Sequence, residues 1–405
     1  MMIDKLNVDK GNVFFILLVV LVFFIFPASK AVGTVGSFLL FLFGLFFFIK
    51  DCYNDPGKLK FLKISSPLLF LFLIICVGLI YGEASYTEKI DYFVKSLRFP
   101  AIFFAGYLLY KFNLSDIAIK CFSASMLMTL LMVYVSIFIP LPWAKNVPQE
   151  WGGNQTIWGD YITQNIMMSF FALIVFHKAF EEKANKYIFF VLFFLSAWAI
   201  LTLSFGRTGY VMLFSSIIGY IFLKFENWKI RFLVIVISFA VAVAAYFFVD
   251  LFRARVDLAY MQFVTADDKT LNSVGARLLM WKTAFKIGVD NFWFGVGSGA
   301  YELEWCARVV GEEWCAVGKH PHNQFLLIFA SNGFFAFLGY FCFFIICFYF
   351  SFKRIKFSEL FFGFLTILIV DSFLNAPFWN VREANFFTLI ASVFFAKILF
   401  ELEAN

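Results

Sequence analysis

Charge is scarce in this chain. Only 15% of its 405 residues are Asp, Glu, Lys or Arg, where a soluble domain carries about a quarter. That excludes an ordinary water-soluble fold. The alternating segments of about ten residues that mark a membrane β-barrel are missing too. No Gly-rich nucleotide loop and no Asp-x-Asp pair occurs, so nothing points to ATP or to a metal-held nucleotide sugar. Low-complexity tracts and clear internal repeats are likewise lacking. No small-residue cleavage site separates the first two apolar runs, Val13–Phe26 and Ala31–Ile49, so the first reads as a retained helix and not a signal peptide.

What the chain does have is apolar length. Hydrophobic residues make up 62%, 64 residues are phenylalanine, and the mean hydropathy is +0.85. Runs of about 18 apolar residues suffice to cross a hydrocarbon core of about 30 Å. The expectation is an all-α polytopic membrane protein with about twelve transmembrane helices, at 13–29, 31–49, 66–82, 92–110, 117–139, 158–177, 187–205, 208–223, 232–251, 323–348, 357–375 and 384–400.

Lysine and arginine then orient these spans. One set of short connections holds Lys50, Lys58, Lys60, Lys63, Lys111, Lys178, Lys183, Lys186, Lys224, Lys229, Arg231, Lys353, Arg354 and Lys356. The opposite set holds little beyond Lys30, Lys89, Lys145 and Arg382. The positive-inside rule puts both termini in the cytoplasm. The net charge of +6 therefore records topology and not a nucleic-acid partner. Three regions follow: helices one to nine (1–251), a large outward loop (252–322), and helices ten to twelve (323–405).

That loop is the unusual part. It carries Arg253, Arg255, Arg277, Lys282, Lys286, Arg308 and Lys319, with Trp281, Trp293, Trp305 and Trp314, and closes on His320-Pro321-His322-Asn323. Within it Val274, Leu278, Trp281 and Phe285 recur at helical spacing. Asn272 or Ser273 is placed to cap the start of that helix and Gly288 to end it, with Arg277 on the flank of the stripe. A helix lying on the bilayer surface fits the same pattern. Cys306 and Cys315, nine residues apart on the outward side, suit a loop-closing disulfide. Their spacing to His320 and His322 matches no usual zinc pattern, so no metal is expected.

The remaining chemistry-bearing residues cluster at the same surface. Arg207 sits in Leu203-Ser204-Phe205-Gly206-Arg207-Thr208-Gly209, a tight outward turn whose glycines allow the close backbone approach of an anion site. A snorkelling arginine is the plainer alternative. Pro321 falls near a first helical turn, which sets His322 and Asn323 at a helix N-terminus, where an anion is favoured and a neutral imidazole is available near pH 7. Lys95 and Arg98, one turn apart in the fourth span, either pair with Asp91 and Glu88 or extend a phosphate-binding cavity. Trp143, Trp151 and Trp158, like the tryptophans of the large loop, suit interfacial anchoring or stacking on sugars. A large anionic lipid-linked substrate is the sense of the whole. An anion transporter or flippase would instead break helices at mid-membrane in both halves of the chain.

Three blocks, Leu203–Gly209, Ser273–Trp281 with Phe294-Gly295-Val296-Gly297, and His320–Leu326, resemble the O-antigen ligase and polymerase superfamily over about 200–345. The resemblance implies a bacterial inner-membrane, GT-C-like, inverting glycosyltransferase that needs no metal or cofactor. Its donor would be a glycan on undecaprenyl diphosphate, and its acceptor, in the ligase branch, the lipid A core. By motif, Arg207 and Arg277 would bind the diphosphate and His322 would act as general base. His320, Asn323, Lys95 and Arg98 would line the substrate site. The usual Ser-Arg pair stands here as Gly206-Arg207. O-antigen polymerases and protein O-oligosaccharyltransferases share the motifs. A single dominant outer loop favours the ligase.

Overall fold

A computed structural model describes residues 10–146, 148, 153–265, 273–309, 312–353 and 357–404. Asn272, Trp151, Arg354 and Lys356, invoked above, lie outside them. The helices are α1 (Lys10–Ile25), α2 (Lys30–Asn54), α3 (Leu62–Tyr81), α4 (Tyr86–Ser96), α5 (Arg98–Lys111) and α6 (Ser115–Val135). Next come α7 (Tyr161–Glu181), α8 (Lys186–Thr202), α9 (Arg207–Lys224), α10 (Trp228–Phe248), α11 (Asp250–Val264) and α12 (Ser273–Asp290). The chain ends with α13 (Tyr301–Arg308), α14 (Glu312–Val317), α15 (Gln324–Phe352), α16 (Ser358–Leu374) and α17 (Val381–Ala404). No strand occurs among the described residues. Seven helices are long and apolar enough to cross a membrane, and α1 and α8 are shorter apolar ones. The protein is an all-α polytopic membrane protein.

Each of the twelve expected spans falls on a helix, and two of them are interrupted. The fourth divides at Leu97 into α4 and α5. Ser85 and Glu88 form a capping box that starts α4, and α4 buries only Tyr92 and Ser96. By contrast α5 is buried from Phe99 to Tyr110, packed against α2, α3 and α17. Small residues permit that closeness: a Cβ on Gly44 of α2 would fall 1.8 Å from the Phe104 carbonyl oxygen of α5. Phenylalanine fills the rest, with Phe170, Phe364, Phe386 and Phe394 meeting ring to ring between α7, α16 and α17. The other conspicuous helix is α10, which buries only Ala245.

The two ends of the bundle differ. One collects ion pairs: Asp51–Lys111 at 2.6 Å, Lys224–Glu181 at 2.7 Å, Lys397–Asp116 at 2.5 Å, and Lys58–Glu403. Arg207, Arg277 and the His320–His322 pair lie at the other.

At that second end α15 is broken. Gly333 has φ 77° and ψ −171°, a region open only to glycine. The turn after α12 is sewn into the gap. Val296 N–H donates to Ala330 O (3.0 Å), Gly297 N–H to Ser331 O (2.8 Å) and Phe334 N–H to Phe292 O (2.8 Å). The stitch continues into α3 and α4. Ser298 N–H reaches Gly78 O (3.1 Å), Asn332 Nδ2 reaches Ser298 Oγ (2.7 Å), and Tyr92 OH reaches Asn332 Oδ1 (2.9 Å). Backbone groups freed by the break are thus satisfied inside the protein.

The stitch holds α12 against α15, which corrects one expectation. Gly288 does not end α12 but lies inside it, where a Cβ would meet the Phe329 ring at 2.3 Å. The buried face of α12 is Gly275, Met280, Ala284, Ile287 and Gly288, not the Val274–Leu278–Trp281–Phe285 stripe. Leu278 and Phe285 are 38% and 57% exposed. The period was legible and the face was not. In lipid the bulky apolar residues have no reason to turn inward, while small ones let helices approach. Arg277, three and seven residues before Met280 and Ala284, therefore sits on the packed face.

Candidate active site

Four chain segments converge on the site. The turn before α9 carries Arg207, whose guanidinium donates to Gln262 Oε1 of α11 (3.2 and 3.3 Å) and to Ser273 Oγ (3.2 Å). The glycines around it let α9 pack closely on α7. A Cβ on Gly206 or Gly209 would strike Asn165 of α7 at 2.6 Å, and Asn165 Nδ2 donates to Ser204 Oγ at 2.8 Å. The close approach expected there is helix against helix.

Arg277 on α12 is next, near enough to Arg207 to repel it. Burial lowers its pKa most, against the pull of Asp371, Glu383 and Tyr161. Even so, a guanidinium stays charged.

His320 and His322 follow, with ring centroids 4.3 Å apart. The His322 backbone N–H donates to His320 Nδ1 at 3.3 Å, so that nitrogen is an acceptor and the proton of the neutral ring sits on Nε2. His322 has φ +48°, an uncommon left-handed conformation that histidine tolerates better than most residues. Burial holds the His322 imidazole down to about 4, with Arg277 adding to it and an Asn375 hydrogen bond opposing. His320 is lowered to about 3, by burial first, then by His322, Lys95 and Arg277. Both rings are neutral at pH 7. Pro321 and His322 precede α15 and do not open it. Asn323 is the cap, its Oδ1 accepting from Leu326 N–H (2.9 Å) while its Nδ2 donates to Phe373 O (3.1 Å). Both ends of Asn323 are thereby used within the fold.

Lys95 and Arg98 separate. Lys95 pairs with Asp91 (2.6 Å) and stands 3.7 Å over the Trp379 ring, whose centroid is 5.9 Å from that of His320. Arg98 donates to the Phe378 carbonyl. Glu88 is occupied by the α4 cap. Neighbouring pairs therefore link Arg207, Arg277, His322, His320, Trp379 and Lys95 across this end of the bundle.

Sequence reasoning missed several members. Trp379 and Asn375 lie in the α16–α17 turn and at its start, outside any motif. Asp371 is fully buried in α16, its Oδ1 accepting from Asn375 Nδ2 (2.8 Å) while Oδ2 has no hydrogen-bond partner among the described residues. An acid and an amide one turn apart in an apolar run, Asp371 and Asn375, were the available signal, since such groups are costly in lipid unless functional. Trp281 also enters: its Nε1 donates to the His322 carbonyl at 3.4 Å.

Beside the site, Cys306 of α13 and Cys315 of α14 are joined in a disulfide, with Cα atoms 4.7 Å apart, so neither thiolate is available to a metal. Trp305 is fully buried between these helices, donating to Trp314 O at 2.9 Å, and is neither an interfacial anchor nor a platform for sugars. Trp143 and Trp293 remain more than half exposed.

A buried neutral base beside fixed guanidinium groups suits attack by a hydroxyl with departure of an anion. No curated protein matches the chain. Residues 190–341 match the family model described as O-Antigen ligase, a stretch that contains Arg207, Arg277, His320 and His322, and the match is consistent with the O-antigen ligase and polymerase superfamily.

Proposed function

We propose that the protein is an O-antigen ligase, moving a glycan from undecaprenyl diphosphate to a sugar hydroxyl of the lipid A core on the periplasmic side of the inner membrane. The observation that carries this reading is the gathering of guanidinium groups, neutral His322 and an aromatic wall at one end of the bundle. The acceptor oxygen attacks the anomeric carbon. The bond from that carbon to the phosphate oxygen breaks with inversion, and the diphosphate leaves with the electron pair. His322 takes the hydroxyl proton, and Arg207 and Arg277 hold the charge that develops on the diphosphate. The acceptor then lies on the His320–Trp379–Lys95 side, opposite the leaving group. No step needs a metal.

Two further features support the reading. A cavity of about 570 Å³ between α8, α9 and α10 is lined by residues such as Trp198, Leu213, Ile217, Val241 and Phe248, and its upper rim at Thr202 and Val249 adjoins the turns that bear Arg207 and α11. It is a groove for a polyprenyl chain. The Cys306–Cys315 disulfide and the lysine-rich opposite end agree with a site facing an oxidising compartment. The single large outer segment favours a ligase over a polymerase.

The test is a lipopolysaccharide gel of a strain deleted for the gene and complemented with wild type, Arg207→Ala, Arg277→Ala or His322→Ala. Loss of the whole ladder in the deletion and in the three variants, with undecaprenyl-linked polymer accumulating, is the expected result. A core bearing a single repeat would make the protein a polymerase. An unchanged ladder would remove the reading.

A further inference from the structure

The helix α11 carries four charged side chains between Asp250 and Asp257, and three are settled locally. Arg253 pairs with Asp250 at 2.6 Å, and Asp257 accepts from Tyr246 OH at 2.8 Å. The fourth, Arg255, turns the other way. Phe252, Arg255 and Gln262 lie at helical spacings of three and seven, which puts them on one face. That face meets the turn before α9: Phe252 stacks on Tyr210 with centroids 4.9 Å apart, the Arg255 guanidinium stands 5.1 Å over the Phe205 ring, and Gln262 accepts from Arg207.

Arg255 is therefore aimed at another arginine. It repels Arg207 more strongly than Arg277 does, and no carboxylate among the described residues opposes it there. Its Nε is buried and has no hydrogen-bond partner among the described residues. Arg277, by contrast, has Asp371 and Glu383 behind it. Two like charges with an unsatisfied donor between protein walls are unfavourable until an anion joins them. The position also matters. Arg255 stands six residues beyond Val249, which lines the apolar groove, whereas Arg277 stands beside His322.

We infer that Arg255 is a third anion-binding residue of the site and, with Arg207, grips the phosphate nearer the lipid chain, leaving Arg277 to the phosphate nearer the sugar. This rests on the proposed reading of the donor as a polyprenyl diphosphate. A prenyl phosphate chain and a phospholipid headgroup share the chemistry that Arg255 would recognise, and the test separates them.

Purified protein in detergent is titrated with farnesyl diphosphate and farnesyl monophosphate by isothermal calorimetry. Variants are Arg255→Ala, Arg255→Lys, Arg277→Ala and, as a control on the same helix, Arg253→Ala. Arg255→Ala should weaken both ligands about tenfold or more, as expected for loss of a charged hydrogen-bonding partner. Arg255→Lys should recover part of that loss, Arg277→Ala should weaken chiefly the diphosphate, and Arg253→Ala should match wild type. Melting curves in the same detergent report folding, and Arg255→Lys keeps the test open if the alanine variant does not fold. Unchanged affinities in Arg255→Ala would overturn the inference. So would a loss confined to phosphatidylglycerol retained in native mass spectra, which would make Arg255 a headgroup anchor. Failure of wild type to bind either farnesyl ligand would overturn the donor reading itself.

Discussion

Trp281 Nε1 donates to the carbonyl oxygen of His322 at 3.4 Å, tying α12 to a histidine whose backbone is left-handed. Arg277 lies one turn earlier on the same helix. The helix that carries Arg277, proposed to bind the anion, thus also holds His322, the proposed base, in its uncommon conformation. On the proposed reading Trp281 is a positioning residue.

Trp281→Phe keeps the ring and removes the donor. A neutral hydrogen bond is worth about 1 kcal/mol, so kcat should fall roughly fivefold while the KM for donor stays within about twofold. An equal rise in KM, or a loss of folded protein, would return Trp281 to packing alone.

His322→Ala should abolish transfer with protein still in the membrane, and its pH behaviour is specific. The folded pKa is lowered to about 4, chiefly by burial, so the imidazole stays unprotonated down to that pH. Since kcat/KM follows the free enzyme, its acid limb should lie near pH 4 and the profile should be flat from 8 to 6. A limb at the ordinary histidine value of about 6.5 would show that the ring is solvated in the working enzyme.

Gly333 and Gly295 answer each other across the break in α15. A Cβ on Gly333 would stand 2.3 Å from Trp293 O, and one on Gly295 would stand 2.4 Å from Asn332 N. Gly333→Ala should cost at least about 2 kcal/mol from backbone conformation alone and lower the melting temperature in detergent by several degrees. A wild-type melting curve would mean that the turn yields easily.

Cys306→Ser should leave transfer nearly intact. Closing a loop of nine residues limits the bridge to about 2–3 kcal/mol, and it joins α13 to α14 beside the histidines without contributing a group to them. Intact mass before and after reduction and alkylation checks the bond itself. Seven alkylatable thiols in the unreduced protein, where the bridge leaves five, would refute it.

Hydropathy and charge spacing made the helices legible, because lipid leaves a spanning segment little choice. The histidine block and the two arginines were legible as motifs. Their partners were not. Trp379 and Lys95 lie nearly three hundred residues apart in sequence, and Asn375 touches His322 only because α16 returns beside α15. The buried face of α12 was hidden for a different reason: polarity sorts residues in water, and at a membrane it is size that sorts them. A kink at Gly333 likewise leaves no periodic trace in an apolar run.

The sewn turn between α12 and α15 has one more consequence, and it concerns numbers of residues more than their kinds. With Val296, Gly297 and Phe334 each bonded to a fixed partner, the distance along the chain from Arg277 to His322 acts as a ruler clamped at its middle. Exposed side chains of α12 such as Leu278 and Val289 can vary with little effect on it. A single residue inserted within α12 after Arg277 has a large one, because it would turn the first part of the helix by about 100° about its axis and swing Arg277 away from His322.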